Sequence, residues 1–409
     1  MPKHVFINIK ELIQVRPLPE RPLIKSDLGV LPTIENAFLI IENNRVIGFG
    51  SMVDFNHEEF KNELIEDLSG KFVLPSFCDS HTHAVFAAPR ETEFVDKIKG
   101  LSYQQIASRG GGILNSANHV SNIPEEELFN RSLARVKSII QGGTGALEIK
   151  SGYGLSLANE LKILRVIKEI KKQVDIPIKT TFLAAHAIPK EFIGRKVEFI
   201  NEIVSKWIPV VVKEGLADYI DLFCETGYFD PEDIEIFSKA IQHTPLKLKV
   251  HVNQFNAIGG IDTAVRNKAV SVDHLEVMNE ADYLALQNGN TMATLLPACS
   301  FYLNLPYAPA RTLVDKGVPI ALASDFNPGS SPTHNLFFVW SLGCIQMKLT
   351  PEEALNALTI NAAFAMGLER THGAIFQGYA GKLLVTKEAP TMAYFPYAFA
   401  ENHIDKILN

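Results

Sequence analysis

The sequence predicts an α/β protein, a (β/α)8 barrel carrying a small β domain formed from both termini. Three observations lead there: eight short apolar runs read as strands, helix-spaced segments between most of them, and flanks that turn to hairpin patterning. The length of 409 residues suits a large barrel with an appendage. With 46% hydrophobic and 21% charged residues, the chain has ample material for a core and is unlike a disordered polymer.

The flanks come first. Residues 38–48 read as strand, an Asn43-Asn44 turn, then strand, and residues 381–386 are strand-like near the other end. These place a small β-sandwich-like domain at 1–70 and 375–409, leaving 71–374 for the catalytic barrel. The barrel strands are read at 77–83, 144–150, 178–186, 219–225, 246–252, 270–276, 291–297 and 319–325. Among the helices, Leu157, Leu161, Leu164, Ile167, Ile170 and Val174 share one face. Phe129, Leu133, Val136 and Ile140 form another stripe, closed by Gly142 and Gly143. Eight β-then-α units in series require parallel strands, which close as a barrel; an open doubly wound sheet is the alternative that strand count leaves open.

Charge and cysteines exclude several classes. Thirty-nine Lys and Arg against 46 Asp and Glu leave no basic surplus for nucleic acid. Cys78, Cys224, Cys299 and Cys344 form no C-x-x-C pair, so a disulfide or zinc-knuckle scaffold is not expected and a cytoplasmic setting is. Lys3, Lys10 and Glu11 interrupt any export signal, and Pro297, Pro306 and Pro309 break the longest uncharged run, so no membrane partner is expected.

Chemistry concentrates at the ends of the strand-like runs. His81 and His83 lie two apart, so both imidazoles project to one side of a strand. Alone that spacing is weak. His186, His251, His274 and Asp325 also fall at C-terminal ends of predicted strands, the rim where such barrels build active sites. Five of the 12 histidines converging with an aspartate point to one metal ion. Nitrogen and oxygen donors suit zinc first, with iron next and manganese or nickel behind. A second ion would want a lysine or bridging carboxylate at the fourth strand, which ends Phe223-Cys224-Glu225. Lys150 reads as an ion-pair partner at the rim.

The run from Phe72 to Phe77 leading into His81-Thr82-His83 resembles the opening of the amidohydrolase superfamily. Arg90 with Glu93-Phe94, the segments EIKSGYGL at 148–155 and TFLAAHAIP at 181–189, and Asp325 to Gly329 narrow the resemblance to the imidazolonepropionase family. It spans residues from about 70 to 385. The resemblance implies a metal-dependent hydrolase barrel whose ion is held by His81, His83, His251 and Asp325. It also implies substrate contacts from Arg90, Tyr153, His186, Gln254, Asn327, Gly329 and Ser330. Two departures stand out: Gln254 occupies a position that is glutamate in many members, and Ala87-Ala88 replace a common Gly-Gly pair.

The implied reaction is hydrolysis of 4-imidazolone-5-propanoate, a cyclic amide with a carboxylate tail, to N-formimidoyl-L-glutamate in histidine degradation. Arg90 would clamp the tail through a bidentate fork, a surface ion pair to Glu91 or Glu93 being the bland alternative. Asp325 would take the proton of a metal-activated water and return it to the departing nitrogen, while His274 donates to the carbonyl oxygen. Tyr153 sits on a Gly-rich loop, and His186 would bind ring or tail as a donor; ordinary loop and core roles compete for both. Gln254 can only orient, since an amide does not titrate usefully. Asn327, Gly329 and Ser330 would hold the product-like end, or else form a plain turn. Gly110-Gly111-Gly112 reads as a loop over the site. The rival functions are a deaminase for a cytosine- or guanine-like ring and a non-catalytic barrel scaffold. The expected partner is a small carboxylate-bearing molecule, and the expected assembly is a homodimer.

Overall fold

Parallel strands covered on both faces should be apolar along their whole length, and the eight barrel strands are buried except for an occasional first or second residue. The structure, a computed structural model, describes residues 3–17, 19–101, 105–106 and 109–408. Five strands precede the barrel: β1 (His4–Ile13), β2 (Thr33–Glu42), β3 (Arg45–Ser51), β4 (Leu64–Asp67) and β5 (Phe72–Pro75). The barrel strands are β6 (Phe77–Asp79), β7 (Thr144–Lys150), β8 (Ile178–Ala185) and β9 (Tyr219–Cys224). β10 (Lys247–Val252), β11 (Ser271–His274), β12 (Met292–Leu295) and β13 (Ile320–Leu322) complete it. After it come β14 (Leu383–Thr386) and β15 (Ile404–Ile407).

Strands β6 to β13 pair in unbroken chain order, all parallel, which excludes the doubly wound alternative because that order would reverse midway. Closure uses residues just past the strand ends. Thr82 bridges Phe326, Asp325 N–H donates to His81 O (3.0 Å), and His83 N–H donates to Phe326 O (2.8 Å). Below them the Asp79 carboxylate accepts from Ser324 N–H (3.0 Å) and Ser324 Oγ (2.5 Å). The seam therefore runs through His81, His83 and Asp325, residues expected from sequence at the site.

The helix Leu157–Lys171 buries Leu161, Leu164, Ile167 and Ile170 of its predicted stripe. In the helix Glu125–Gln141 the fully buried residues are Leu128, Ser132, Val136 and Ile139, so the buried face is rotated from the predicted one. Arg131 and Arg135 of that helix donate to the Ala84, Phe86 and Ala87 carbonyls and fix the first βα loop.

Both termini join in one seven-stranded mixed sheet, ordered β15-β14-β5-β1-β2-β3 with β4 also on β1. Its β2–β3 hairpin turns on Asn43 and Asn44 at φ 52° and 58°, the left-handed pair that a tight hairpin requires. The strands from both termini hydrogen-bond into one continuous sheet. One expectation is corrected here: Phe72–Pro75, assigned to the barrel from sequence, hydrogen-bonds to β1 and β14. The apolar run continues through Phe77, so only Pro75-Ser76 marks the change of sheet. Among the described residues no helix is long and apolar enough to cross a membrane.

Candidate active site

The C-terminal strand ends gather the histidines. His81 and His83 follow β6, His251 lies in β10, His274 ends β11 and Asp325 follows β13. All five are buried, and their rings crowd together: His81 and His251 centroids are 4.5 Å apart, His81 and His83 5.4 Å, His83 and His251 5.6 Å. His274 and Asp325 sit at φ 93° and 51°, left-handed conformations that side chains of this kind seldom adopt and that cluster at functional sites.

The donors fit a single cation. His81 Nε2 is 3.4 Å and His83 Nε2 is 3.6 Å from Asp325 Oδ1. Ligands about 2.0–2.1 Å from a tetrahedral ion lie roughly 3.3–3.4 Å from one another. His81 Nε2 and His251 Nε2 are buried with no hydrogen-bond partner, a costly state unless something coordinates them. Within ligand spacing, His81 groups with His83 and Asp325, and again with His251 and His274. Two of the rings have a carboxylate behind them. Asp273 Oδ2 is hydrogen-bonded to His81 Nδ1 at 2.6 Å, and Asp221 Oδ2 lies 3.0 Å from His251 Nδ1 as an ion-pair contact without hydrogen-bond geometry; carboxylates so placed turn the opposite nitrogen toward a metal. Burial pushes His81, His83 and His251 well below the ordinary histidine range, so their rings are neutral at pH 7.

His274 differs. Burial opposes its charge, but the Glu276 carboxylate (Nδ1 to Oε1 3.4 Å), with Asp325 and Asp273, holds its pKa above the usual value. Asp325 is pushed up to about 6, chiefly by burial. A histidine whose protonated form is favoured thus stands beside a carboxyl whose pKa is raised.

The cavity over these groups is lined by His83, His251, His274 and Asp325, and by the expected Arg90, Tyr153, His186, Gln254, Asn327 and Ser330. Arg90 is no surface residue: it is 4% exposed, with Glu93 Oε2 3.2 Å from its Nε. Glu93 also accepts from Gly112 N–H and Asn115 Nδ2, both at 3.1 Å, tying the guanidinium to the Gly110–112 loop. Gly329 lies against Arg90; a Cβ there would be 2.5 Å from Nε and closer still to Cζ and Nη2. The loop holding Tyr153 is fixed by Glu160, whose carboxylate accepts from Gly152, Gly154 and Leu155 N–H groups. Gly154 is required there, since a Cβ would collide with the backbone of Asn159 and Glu160.

Three expectations change in detail. His186 Nδ1 lies 3.0 Å from Gly152 O and burial lowers its pKa to about 4, so the ring is neutral and Nε2 is an acceptor. Asn327 spends all four of its hydrogen-bonding positions locally: Nδ2 on Asp325 O and Ser330 Oγ, Oδ1 on Gly329 and Ser330 N–H. Gly329 O accepts from Lys97 Nζ at 2.5 Å. Asn327 and Gly329 therefore shape the loop that presents Ser330. Lys150 is the third: it is fully buried beneath the histidines rather than at the rim. Sequence reading also missed Asp221, Asp273, Glu276 and Cys299; Cys299 Sγ is 3.5 Å from Gln254 Nε2. Inward alternation on β9 and β11 was the available signal for the two aspartates. The four cysteines are free thiols.

Comparison with known proteins agrees with this geometry. The profile described as the Amidohydrolase family matches residues 229–406. The imidazolonepropionase of Christiangramia forsetii is 50% identical over 98% of this chain and 97% of its own. That of Flavobacterium johnsoniae is likewise 50% identical, over 98% and 97%. Among solved structures, guanine deaminase of E. coli superposes with a TM-score of 0.70 at 14% identity, covering 99% of this chain and 93% of that one. Atrazine chlorohydrolase of Arthrobacter aurescens, complexed with zinc, gives 0.69 at 14% identity, covering 99% and 92%. At that identity the last two speak for the barrel fold alone.

Proposed function

The chain belongs to the imidazolonepropionases of the amidohydrolase family, hydrolases of histidine degradation, and on that premise we propose how its residues open the ring of 4-imidazolone-5-propanoate to give N-formimidoyl-L-glutamate. One observation carries the roles: a buried guanidinium and a cluster of imidazoles with one carboxylate line a single cavity at the strand ends.

Arg90 receives the propanoate carboxylate. Glu93 holds its Nε side, which leaves the two Nη groups for a bidentate pair. His186 Nε2, an acceptor, takes a hydrogen bond from a ring N–H, and Tyr153 and Gln254 bracket the ring with their polar ends. Ser330 Oγ donates to the substrate from the loop that Asn327 and Gly329 frame.

His81, His83, His251 and Asp325 would hold one divalent ion, zinc first and iron second, in keeping with the donor set. Such an ion, when bound, supplies Lewis-acid polarisation of the carbonyl and makes a water acidic enough to react at neutral pH. Asp325 accepts the proton of the attacking water as its oxygen bonds to the ring carbonyl carbon. The same carboxyl then delivers that proton to the ring nitrogen as the C–N bond breaks. His274 donates to the carbonyl oxygen while it carries negative charge, and the Glu276 carboxylate beside it favours the protonated ring. Gln254 takes no part in proton transfer. The reading places the enzyme in the cytoplasm as a homodimer; its free thiols fit a reducing compartment, and sedimentation checks the assembly.

The test is incubation with enzymatically generated imidazolone propionate, with and without a chelator, followed by ultraviolet absorbance. Turnover lost to the chelator and restored by zinc supports the proposal. Turnover indifferent to the chelator refutes the metal role, and deamination of guanine without ring opening would favour the deaminase reading.

A further inference from the structure

Lys150, at the end of β7, is fully buried, yet its ammonium group meets three carboxylates. Nζ lies 2.8 Å from Glu148 Oε1, 2.8 Å from Asp221 Oδ2 and 3.3 Å from Asp273 Oδ2. The contact with Asp221 is a hydrogen bond, and Glu148 and Asp273 complete the ring of opposite charge as ion pairs. Two of those acceptors are the carboxylates behind the histidines: Asp273 Oδ2 is the atom 2.6 Å from His81 Nδ1, and Asp221 Oδ2 the atom 3.0 Å from His251 Nδ1. The chain of contact therefore runs from one ammonium through two carboxylates to two imidazoles whose far nitrogens have no partner.

Those carboxylates have further anchors. Asp221 Oδ1 accepts from His251 N–H at 3.1 Å, and Asp273 Oδ1 from Ser271 Oγ at 2.6 Å. Glu148 accepts from Thr181 Oγ1 at 2.6 Å and pairs with the buried Lys249. Two lysines thus stand among three carboxylates below the site. Without Lys150, Asp221 and Asp273 would be neighbouring buried anions with no cation between them, and one would relax by turning or taking a proton. Either response frees a histidine ring to rotate.

We propose that Lys150 is a positioning residue for the cation site, fixing Asp221 and Asp273 so that His251 and His81 present Nε2 to a divalent ion. The inference rests on the metal-site reading given above. Lys150 is buried outside the lining of the cavity, so its effect falls on ion affinity more than on the turnover of fully loaded enzyme.

The experiment measures zinc affinity of metal-stripped protein by competition with a chromophoric chelator, for the parent, Lys150→Met, Asp273→Asn and the double variant. Loss of an outer partner of this kind lowers metal affinity about tenfold to a hundredfold. The proposal expects such a loss for Lys150→Met, and a double variant clearly less affected than the sum of the two singles. Parent-like affinity in Lys150→Met, or strictly additive losses, would overturn it. If Lys150→Met does not fold, Lys150→Met/Asp221→Asn restores the charge balance and is compared with Asp221→Asn. A roughly tenfold weaker affinity in the former then supports the proposal through Asp273, and equal affinities refute it. A parent that binds no zinc would defeat the metal-site reading itself, a separate outcome.

Discussion

Replacing Gly329 by alanine should disable Arg90 without touching it. A Cβ at position 329 would lie 2.5 Å from Arg90 Nε and nearer still to Cζ and Nη2. Ordinary contact between such atoms begins near about 3.5 Å, so the nearest nitrogen must withdraw by about 2 Å. Arg90 is buried and braced by Glu93, and has little room to retreat along its own plane. A charge-assisted hydrogen bond contributes about 1.5–3 kcal/mol, so losing the grip on the substrate carboxylate should cost about tenfold to 150-fold in kcat/KM, mostly through KM. Steady-state kinetics on Gly329→Ala, Arg90→Met and the double variant, at equal metal content, measures it. Both singles should raise KM, and the double should be little worse than Arg90→Met. An unchanged KM in Gly329→Ala, or fully additive losses, would refute the placement of the tail on Arg90.

Asp325→Asn keeps an oxygen donor near the ion but cannot carry a proton; turnover should fall by about 10²–10⁴ while zinc still binds, as kinetics and elemental analysis together show. Zinc affinity should fall as pH drops below about 6, because Asp325 is ionised above that value and protonated below it, whereas His81, His83 and His251 are already neutral there. The expected slope is roughly tenfold per pH unit in a chelator competition, and a flat profile from pH 7 to 5 would remove Asp325 from the ligand set. Lys97, whose pKa burial and nearby Arg90 lower to about 8, reinforces the positive charge beside Gly329. KM should therefore rise as pH passes through about 8, and the rise should be absent in Lys97→Met, where KM is already high.

Much of the barrel was legible because parallel strands covered on both sides leave continuous apolar runs, and all eight runs became strands in the order read. The convergence of His81, His83, His251, His274 and Asp325 was legible for a related reason: each lies at or just past a strand's C-terminal end, and closure brings those ends to one mouth. What depended on contacts across strands was hidden. Lys150 looks like a rim residue from its neighbours in sequence, and its partners come from its own strand β7 and from β9 and β11. The family resemblance promised a ligand contact from Asn327, but its amide is consumed by residues two and three positions away. The tautomer of His186 follows from the Gly152 carbonyl, a partner that no spacing rule reveals. Phe72–Pro75 was assigned to the wrong sheet because apolar residues on both sides of Ser76 conceal the change of partner.

X-ray absorption spectroscopy of the zinc-loaded protein tests the central claim most directly. His81, His83, His251 and Asp325 predict one ion with nitrogen and oxygen neighbours at about 2.0–2.2 Å and no sulfur. Cys299 groups with His274 and Glu276 within ligand spacing on the adjoining wall. A sulfur neighbour at about 2.3 Å would put the ion there instead and contradict the account.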